Sequence, residues 1–183
     1  MEPPMRKTLE LDSSKAKKAA TLLILFFEEE WKFLLIQRTS HPLDKHKGQI
    51  SFPGGSMEEG EDLKETAIRE AEEEIGVQRS KLEVIGKLSD LFIPVSNFIV
   101  APYVSFGEID VDSLVKEESE VSEILIIKLE DLLSEECVAK QKIKMGNGVV
   151  LSNVPVFNIN SKVIWGATAM MLHEFKDIVK EIV

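Results

Sequence analysis

The chain has 183 residues, with 22 Lys and Arg against 32 Asp and Glu, a formal net charge of −10 and 44% hydrophobic residues. That length suits one domain, the hydrophobic content argues against wholesale disorder, and the missing basic excess argues against sequence-independent duplex binding, which needs phosphate neutralisation. The longest apolar run, Leu22–Phe27, is far shorter than the roughly 20 residues of a membrane-spanning helix, and a single cysteine, Cys137, rules out an intrachain disulfide.

Residues 1–20 are polar, carry Lys15, Lys17 and Lys18, and read as an N-terminal extension ahead of one domain over 21–183. The apolar run behind them ends in Glu28-Glu29-Glu30 with no small-residue cleavage pattern, so it reads as a strand rather than as a secretory signal. Thr21–Phe27 and Lys32–Gln37 read as two strands around that acidic turn. Residues 41–55 read as a loop, punctuated by Pro42, Gly48 and Pro53-Gly54-Gly55. Asp62–Ile75 reads as a helix: Asp62 with Glu65 makes a capping-box-like start, and Gly76 stands where a helix end favours glycine. Leu82–Leu91, Phe98–Phe106 and Glu123–Leu129 read as strands, with shorter candidates at Val149–Leu151 and Val154–Phe157. Leu132–Glu136 is helix-like, and Ile164–Ile182 reads as a closing helix. This order predicts an α+β (mixed α/β) fold with helices on sheet faces, and it fits a doubly wound sheet poorly.

The acidity is concentrated. Ser56–Gly76 holds nine acidic and two basic residues. At about 100° per residue, Glu70, Glu73 and Glu74 share one helix face, while Ile68, Ala71 and Ile75 turn toward a core. Such a face is either solvated or a seat for a hard divalent cation, which takes carboxylate oxygens, waters and substrate phosphates. The glycine pair in front of the helix lets backbone approach a ligand closely.

The spacing Gly55, Glu61, then Arg69-Glu70-Ala71-Glu72-Glu73-Glu74-Ile75-Gly76-Val77 resembles the Nudix box, with every defining position filled. The resemblance implies a Nudix-type α/β/α sandwich with a mixed β-sheet, and a hydrolase of nucleoside diphosphates linked to a second group. It implies Mg²⁺ or Mn²⁺ held by Glu70, Glu73 and Glu74, with the Gly54 carbonyl as a further ligand. By position, Arg69 resembles the residue that orients those carboxylates, and Glu61 the first glutamate that supports them. The pair Glu120-Val121 resembles a loop glutamate of one branch, which makes Glu120 the candidate base or extra ligand; a solvated acidic loop is the other reading.

That branch is the coenzyme A pyrophosphatases. Leu34–Thr39, Gly48–Gly55, Pro94–Val104 and Ile164–Ala169 are similar to it, while Asp44 stands where its pattern has arginine. The implied reaction yields adenosine 3′,5′-bisphosphate and 4′-phosphopantetheine. Arg38, Lys45, His46 and Lys47 are the candidate contacts to the 3′-phosphate, since cationic side chains complement it; ordinary loop surface is the alternative for Lys45 and Lys47. ADP-ribose or another nucleoside diphosphate derivative is the rival substrate, and a nucleotide-binding module without turnover is the rival of another class. Expected partners are a small nucleoside diphosphate, no nucleic acid and no membrane, with homodimers common in such families; the expected location is cytoplasmic, consistent with one unpaired cysteine.

Overall fold

The structure is a computed structural model that describes residues 16–39, 48–144 and 148–182. Its strands are β1 (Lys17–Glu28), β2 (Glu30–Arg38), β3 (Ile50–Ser51), β4 (Gly54–Ser56), β5 (Leu82–Lys87), β6 (Leu91–Ile93), β7 (Phe98–Gly107), β8 (Val121–Lys128), β9 (Val138–Lys144), β10 (Val150–Ile159) and β11 (Lys162–Trp165). The helices are α1 (Leu63–Ile75), α2 (Leu129–Leu133) and α3 (Ala167–Ile182). No helix among the described residues is long and apolar enough to cross a membrane.

β1 is the spine of the larger sheet. It pairs parallel with β7, Lys17 opposite Phe98, and antiparallel with β2 and with β4. β2 in turn carries β3 and β8, and β7 carries β5 and β6, so the sheet is mixed. β9, β10 and β11 form a second, antiparallel sheet. The fold is thus the α+β architecture expected, with a mixed sheet between helices.

Strand alternation builds the two cores. Along β1, Ala20, Leu22, Ile24 and Phe26 face α1, packing on its Ala67, Ile68, Ala71 and Ile75. The intervening Ala19, Leu23 and Leu25 face α3, packing with Ala169, Met171, Leu172 and Phe175. Both faces of β1 and β2 are therefore buried, which explains why these strands read as unbroken apolar runs.

Several expectations need correction. β1 begins at Lys17, inside the stretch read as extension. The 41–55 stretch holds two short strands, β3 and β4, which exist only because β2 and β1 supply the partners. The strand expected over Leu82–Leu91 is two, divided at Leu88–Asp90, where Lys87 Nζ pairs with the Asp90 carboxylate at 2.8 Å. The two short candidates after Val149 are one strand, β10, with an irregularity between Leu151 and Val154. β9 and β11 were not expected at all. Gly166, at φ 68, ends β11 and starts α3 later than the apolar pattern suggested. The short helix near 132 lies earlier, at α2.

Candidate active site

α1 is set by its caps. The Asp62 side chain accepts the Glu65 N–H at 2.9 Å, and Gly76 closes the other end in the left-handed region at φ 69, its N–H donating to Glu72 O. A residue with a Cβ would be strained at Gly76 and would press on Val115. The cap thus orients the last turn, which carries Glu73 and Glu74.

The glycine pair brings the strand end onto that helix. β4 pairs with β1, Gly54 opposite Thr21 and Gly55 opposite Ala20. A Cβ on Gly54 would lie 2.3 Å from Ala20 O, and one on Gly55 would lie 2.5 Å from the Glu70 carboxylate. The absence of both side chains lets backbone and carboxylate meet. The Gly54 N–H then donates to Glu74 Oε2 at 2.9 Å.

Arg69 gathers the acidic groups. Its Nε donates to Glu61 Oε1 at 2.6 Å, its Nη2 to Glu61 Oε2 and to Ser56 O, both at 3.2 Å, and its Nη1 to Glu73 Oε2 at 2.8 Å. The same Nη1 is 3.0 Å from Glu70 Oε1. Glu61 also accepts the buried Thr66 hydroxyl at 2.9 Å and the Glu58 N–H at 3.2 Å. This fork-and-carboxylate arrangement, led by the Arg69 hydrogen bond, holds the Glu61 carboxyl at about 2. Thr66 was not singled out from sequence, because a threonine in a first helical turn carries no signal of what lies five residues before it.

The three box carboxylates are not equivalent. The helical wheel put them on one face, yet the side chain of Glu73 is 58% exposed, that of Glu70 15% and that of Glu74 only 2%. Burial is the main reason that Glu74 titrates near 7 and that Glu70 lies above the usual carboxylate range. The Gly54 N–H and Arg38, whose Nη1 is 3.5 Å from Glu74 Oε1, act against that rise on Glu74. The charge of Glu120 adds to it on both residues, so the structure brings Glu120 into the same electrostatic neighbourhood.

Glu120 is held there by backbone. Its carbonyl accepts the Thr39 N–H at 2.9 Å and its N–H donates to Glu117 O at 3.0 Å. Earlier in the same loop, Val115 N–H donates to Ile75 O and Glu117 N–H to Glu74 O, taking up two carbonyls that α1 leaves open. Lys45, His46 and Lys47 lie outside the described residues, as does Asp44.

Among the described residues, no three His, Cys, Asp or Glu side chains already stand as a ready ligand set. Arg69 lies between Glu70 and Glu73, and Glu74 turns to the Gly54 amide. The donors nonetheless fit a hard divalent cation: all are oxygens, one carboxylate is buried, and the cradle over Gly55 is one that a Cβ would fill. A cation there would offset both the burial and the carboxylate repulsion that raise Glu70 and Glu74.

The shifts predict opposite pH effects. A folded-state value raised to about 7 stabilises the fold below the ordinary 4.5 and loses that contribution as pH rises through 7. Glu61, lowered to about 2, contributes above 4.5 and loses its contribution as pH falls toward 2. With a chelator present, stability should therefore drop by on the order of 3 kcal/mol between about pH 5 and pH 8, and Glu74→Gln should flatten much of that slope. Thermal unfolding across pH checks it; an unchanged slope in the variant would assign the dependence elsewhere.

Comparison with known proteins places this arrangement. A family model described as the NUDIX domain matches residues 17–146. Nudix hydrolase 3 of Caenorhabditis elegans is 30% identical, aligned over 90% of this chain and 74% of that protein. Mitochondrial coenzyme A diphosphatase NUDT8 of Mus musculus is 30% identical over 91% of this chain and 79% of its own length. Among solved structures, the Nudix hydrolase RenU of M. smegmatis superposes with a TM-score of 0.62 at 13% identity, covering 92% of this chain and 88% of that one. A C. elegans Ap4A hydrolase complex gives a TM-score of 0.58 at 19% identity, covering 90% and 98%. These two share the fold.

Proposed function

The chain belongs to the Nudix hydrolase family, and on that premise we propose that it cleaves the diphosphate of coenzyme A or a close derivative, giving adenosine 3′,5′-bisphosphate and 4′-phosphopantetheine. The observation that carries the hydrolytic part is the buried Glu74, bonded to the Gly54 amide and within electrostatic reach of Glu70 and Glu120. The coenzyme A part draws on the similarity to the coenzyme A diphosphatase of mouse, which spans most of both chains.

In this reading Glu70, Glu73 and Glu74, with the Gly54 carbonyl, hold Mg²⁺ or Mn²⁺. A divalent cation bound there neutralises diphosphate oxygens and lowers the pKa of an attacking water. Arg69 keeps Glu70 and Glu73 oriented through its hold on Glu61 and Ser56 O. Glu74 accepts from two donors, the Gly54 N–H on one oxygen and the Arg38 guanidinium on the other, so its carboxylate has little rotational freedom. Glu120 takes the water proton, its loop being pinned to both Thr39 and α1. Arg38, Lys45, His46 and Lys47 meet the substrate's 3′-phosphate.

A hydrolysis screen over nucleoside diphosphate derivatives, with and without Mg²⁺ and Mn²⁺, tests the reading. Coenzyme A should exceed dephospho-coenzyme A in kcat/KM by about 10- to 100-fold, the worth of one charge-assisted hydrogen bond. Lys45→Ala with Lys47→Ala should erase most of that ratio and spare general diphosphate hydrolysis. ADP-ribose or dephospho-coenzyme A as the better substrate would remove the coenzyme A assignment and leave the metal-dependent hydrolysis standing.

A further inference from the structure

The end of the sheet away from the glycine pair carries a surface that diphosphate chemistry does not use. On the α3 face, the rows Leu23-Leu25 of β1, Leu35-Phe33 of β2 and Val104 of β7 are buried. Each row continues by one more residue on the same face: Phe27, Trp31 and Phe106. Helix cover reaches Phe33, which meets Phe175 at a ring-centroid distance of 6.5 Å, and stops there. Phe27, Trp31 and Phe106 are 64%, 44% and 40% exposed. They form one aromatic row, with centroids 5.4 Å apart for Phe27 and Trp31 and 5.6 Å apart for Trp31 and Phe106.

This row walls a groove of about 500 Å³ whose other lining includes Glu108, Asp110 and Lys81. The hairpin tip beside it is Glu28-Glu29-Glu30. Glu28 pairs with Lys32 and Glu30 with Lys128, both at 2.8 Å. Among the described residues Glu29 and Glu108 form no ion pair, and the Asp110 side chain caps the Asp112 N–H rather than a cation. Glu29 also sits at φ 62, a conformation that suits glycine or asparagine. A strained backbone position is thus occupied by a carboxylate aimed at solvent beside an uncovered aromatic row.

We propose that this groove docks a basic segment of another protein, an extended stretch in which lysine or arginine alternates with aliphatic side chains. The aliphatic groups would cover Phe27, Trp31 and Phe106, and the cations would meet Glu29, Glu108 and Asp110 and stack on the rings. A second copy of this chain is the poorer occupant, because an isologous contact would bring two acidic rims together. Thr21 and Phe27 stand six residues apart along β1, about 20 Å at the strand rise, so docking leaves the glycine-pair end open.

Calorimetric titration with a nine-residue synthetic peptide alternating lysine and leucine tests this, with its glutamate-for-lysine counterpart as control. The expected result is saturable binding of the basic peptide alone, weakened by added salt and about tenfold or more by Glu29→Lys with Glu108→Lys. Diphosphate hydrolysis should be unchanged by the peptide and by those two exposed substitutions, which separates failure here from failure of the proposed reaction. Equal binding of both peptides, no binding at millimolar peptide, or binding indifferent to the double substitution would overturn the proposal. Concentration-dependent dimers in sedimentation that Trp31→Ala abolishes would overturn it in favour of a second copy.

Discussion

Glu74→Gln should lower kcat/KM for diphosphate hydrolysis by about a thousandfold, because bound-cation catalysis supplies several kcal/mol and each 1.4 kcal/mol is about tenfold. The substitution keeps the volume of a side chain that is only 2% exposed and keeps an oxygen to accept the Gly54 N–H, so the fold should survive. It removes the negative charge. Since Glu74 ionises near 7, the variant mimics the protonated wild type, and wild-type activity should itself fall as pH drops below that value unless saturating metal displaces the proton. Steady-state kinetics across pH and metal concentration check both statements. Glu73→Gln should cost less than Glu74→Gln: Glu73 is far more exposed and bonded to Arg69. Activity within tenfold of wild type for Glu74→Gln at limiting Mg²⁺ would move the catalytic centre away from this carboxylate.

Gly54→Ala should be the most destabilising single-methyl change at the site. The new Cβ would lie 2.3 Å from Ala20 O and 2.6 Å from Thr21 Cα, and both are backbone atoms of the central strand, which cannot swing aside. The φ of 155 adds strain. A loss of about 3 kcal/mol or more is expected, at the upper end for an overpacked interior. Gly60→Ala is the matched control: φ there is 89, but nothing lies within 4 Å of the added atom, so only the conformational cost of about 1–2 kcal/mol applies. Chemical denaturation of both variants separates the two contributions. Equal losses would mean that β4 shifts freely along β1 and that the close approach is not what positions Gly54 against Glu74.

The helix and its caps were legible in the sequence because every signal was local. Asp62, Glu65 and Gly76 act within one turn of themselves, and the apolar Ala67, Ile68, Ala71 and Ile75 repeat at helical spacing. The core strands were legible for the same reason. What stayed hidden depends on distant partners. β3 and β4 are two and three residues long and have no pattern of their own; they are strands because Ile36 and Thr21 lie opposite them. β9 alternates Lys140, Lys142 and Lys144 with Gln141 and Ile143, and four of its seven positions are exposed, so it reads as surface. The unequal burial of the three glutamates could not be read from helix angles either, since it is the closeness of β4 that covers Glu74 and leaves Glu73 in water. Arg69 and Glu61 were assigned by resemblance, and the structure gives them a shared network; the roles proposed for them and for Glu120 await the variants.

The parallel pairing of β1 with β7 has a consequence for synthesis. Among the described strands β1 leaves the ribosome first and is the longest, yet its partner residues Phe98–Phe106 follow some eighty positions later. Until they emerge, the hairpin with β2, the short β4 and α1 can shelter only part of it, and the face that packs on α3 stays bare. A nascent chain stalled before Phe98 should therefore be protease-sensitive and chaperone-bound, and resistance should be reached only after both Phe98–Phe106 and α3 have emerged. Refolding of the whole chain should likewise be slow for its size, because closing the sheet requires joining segments far apart in sequence before any of that burial is recovered.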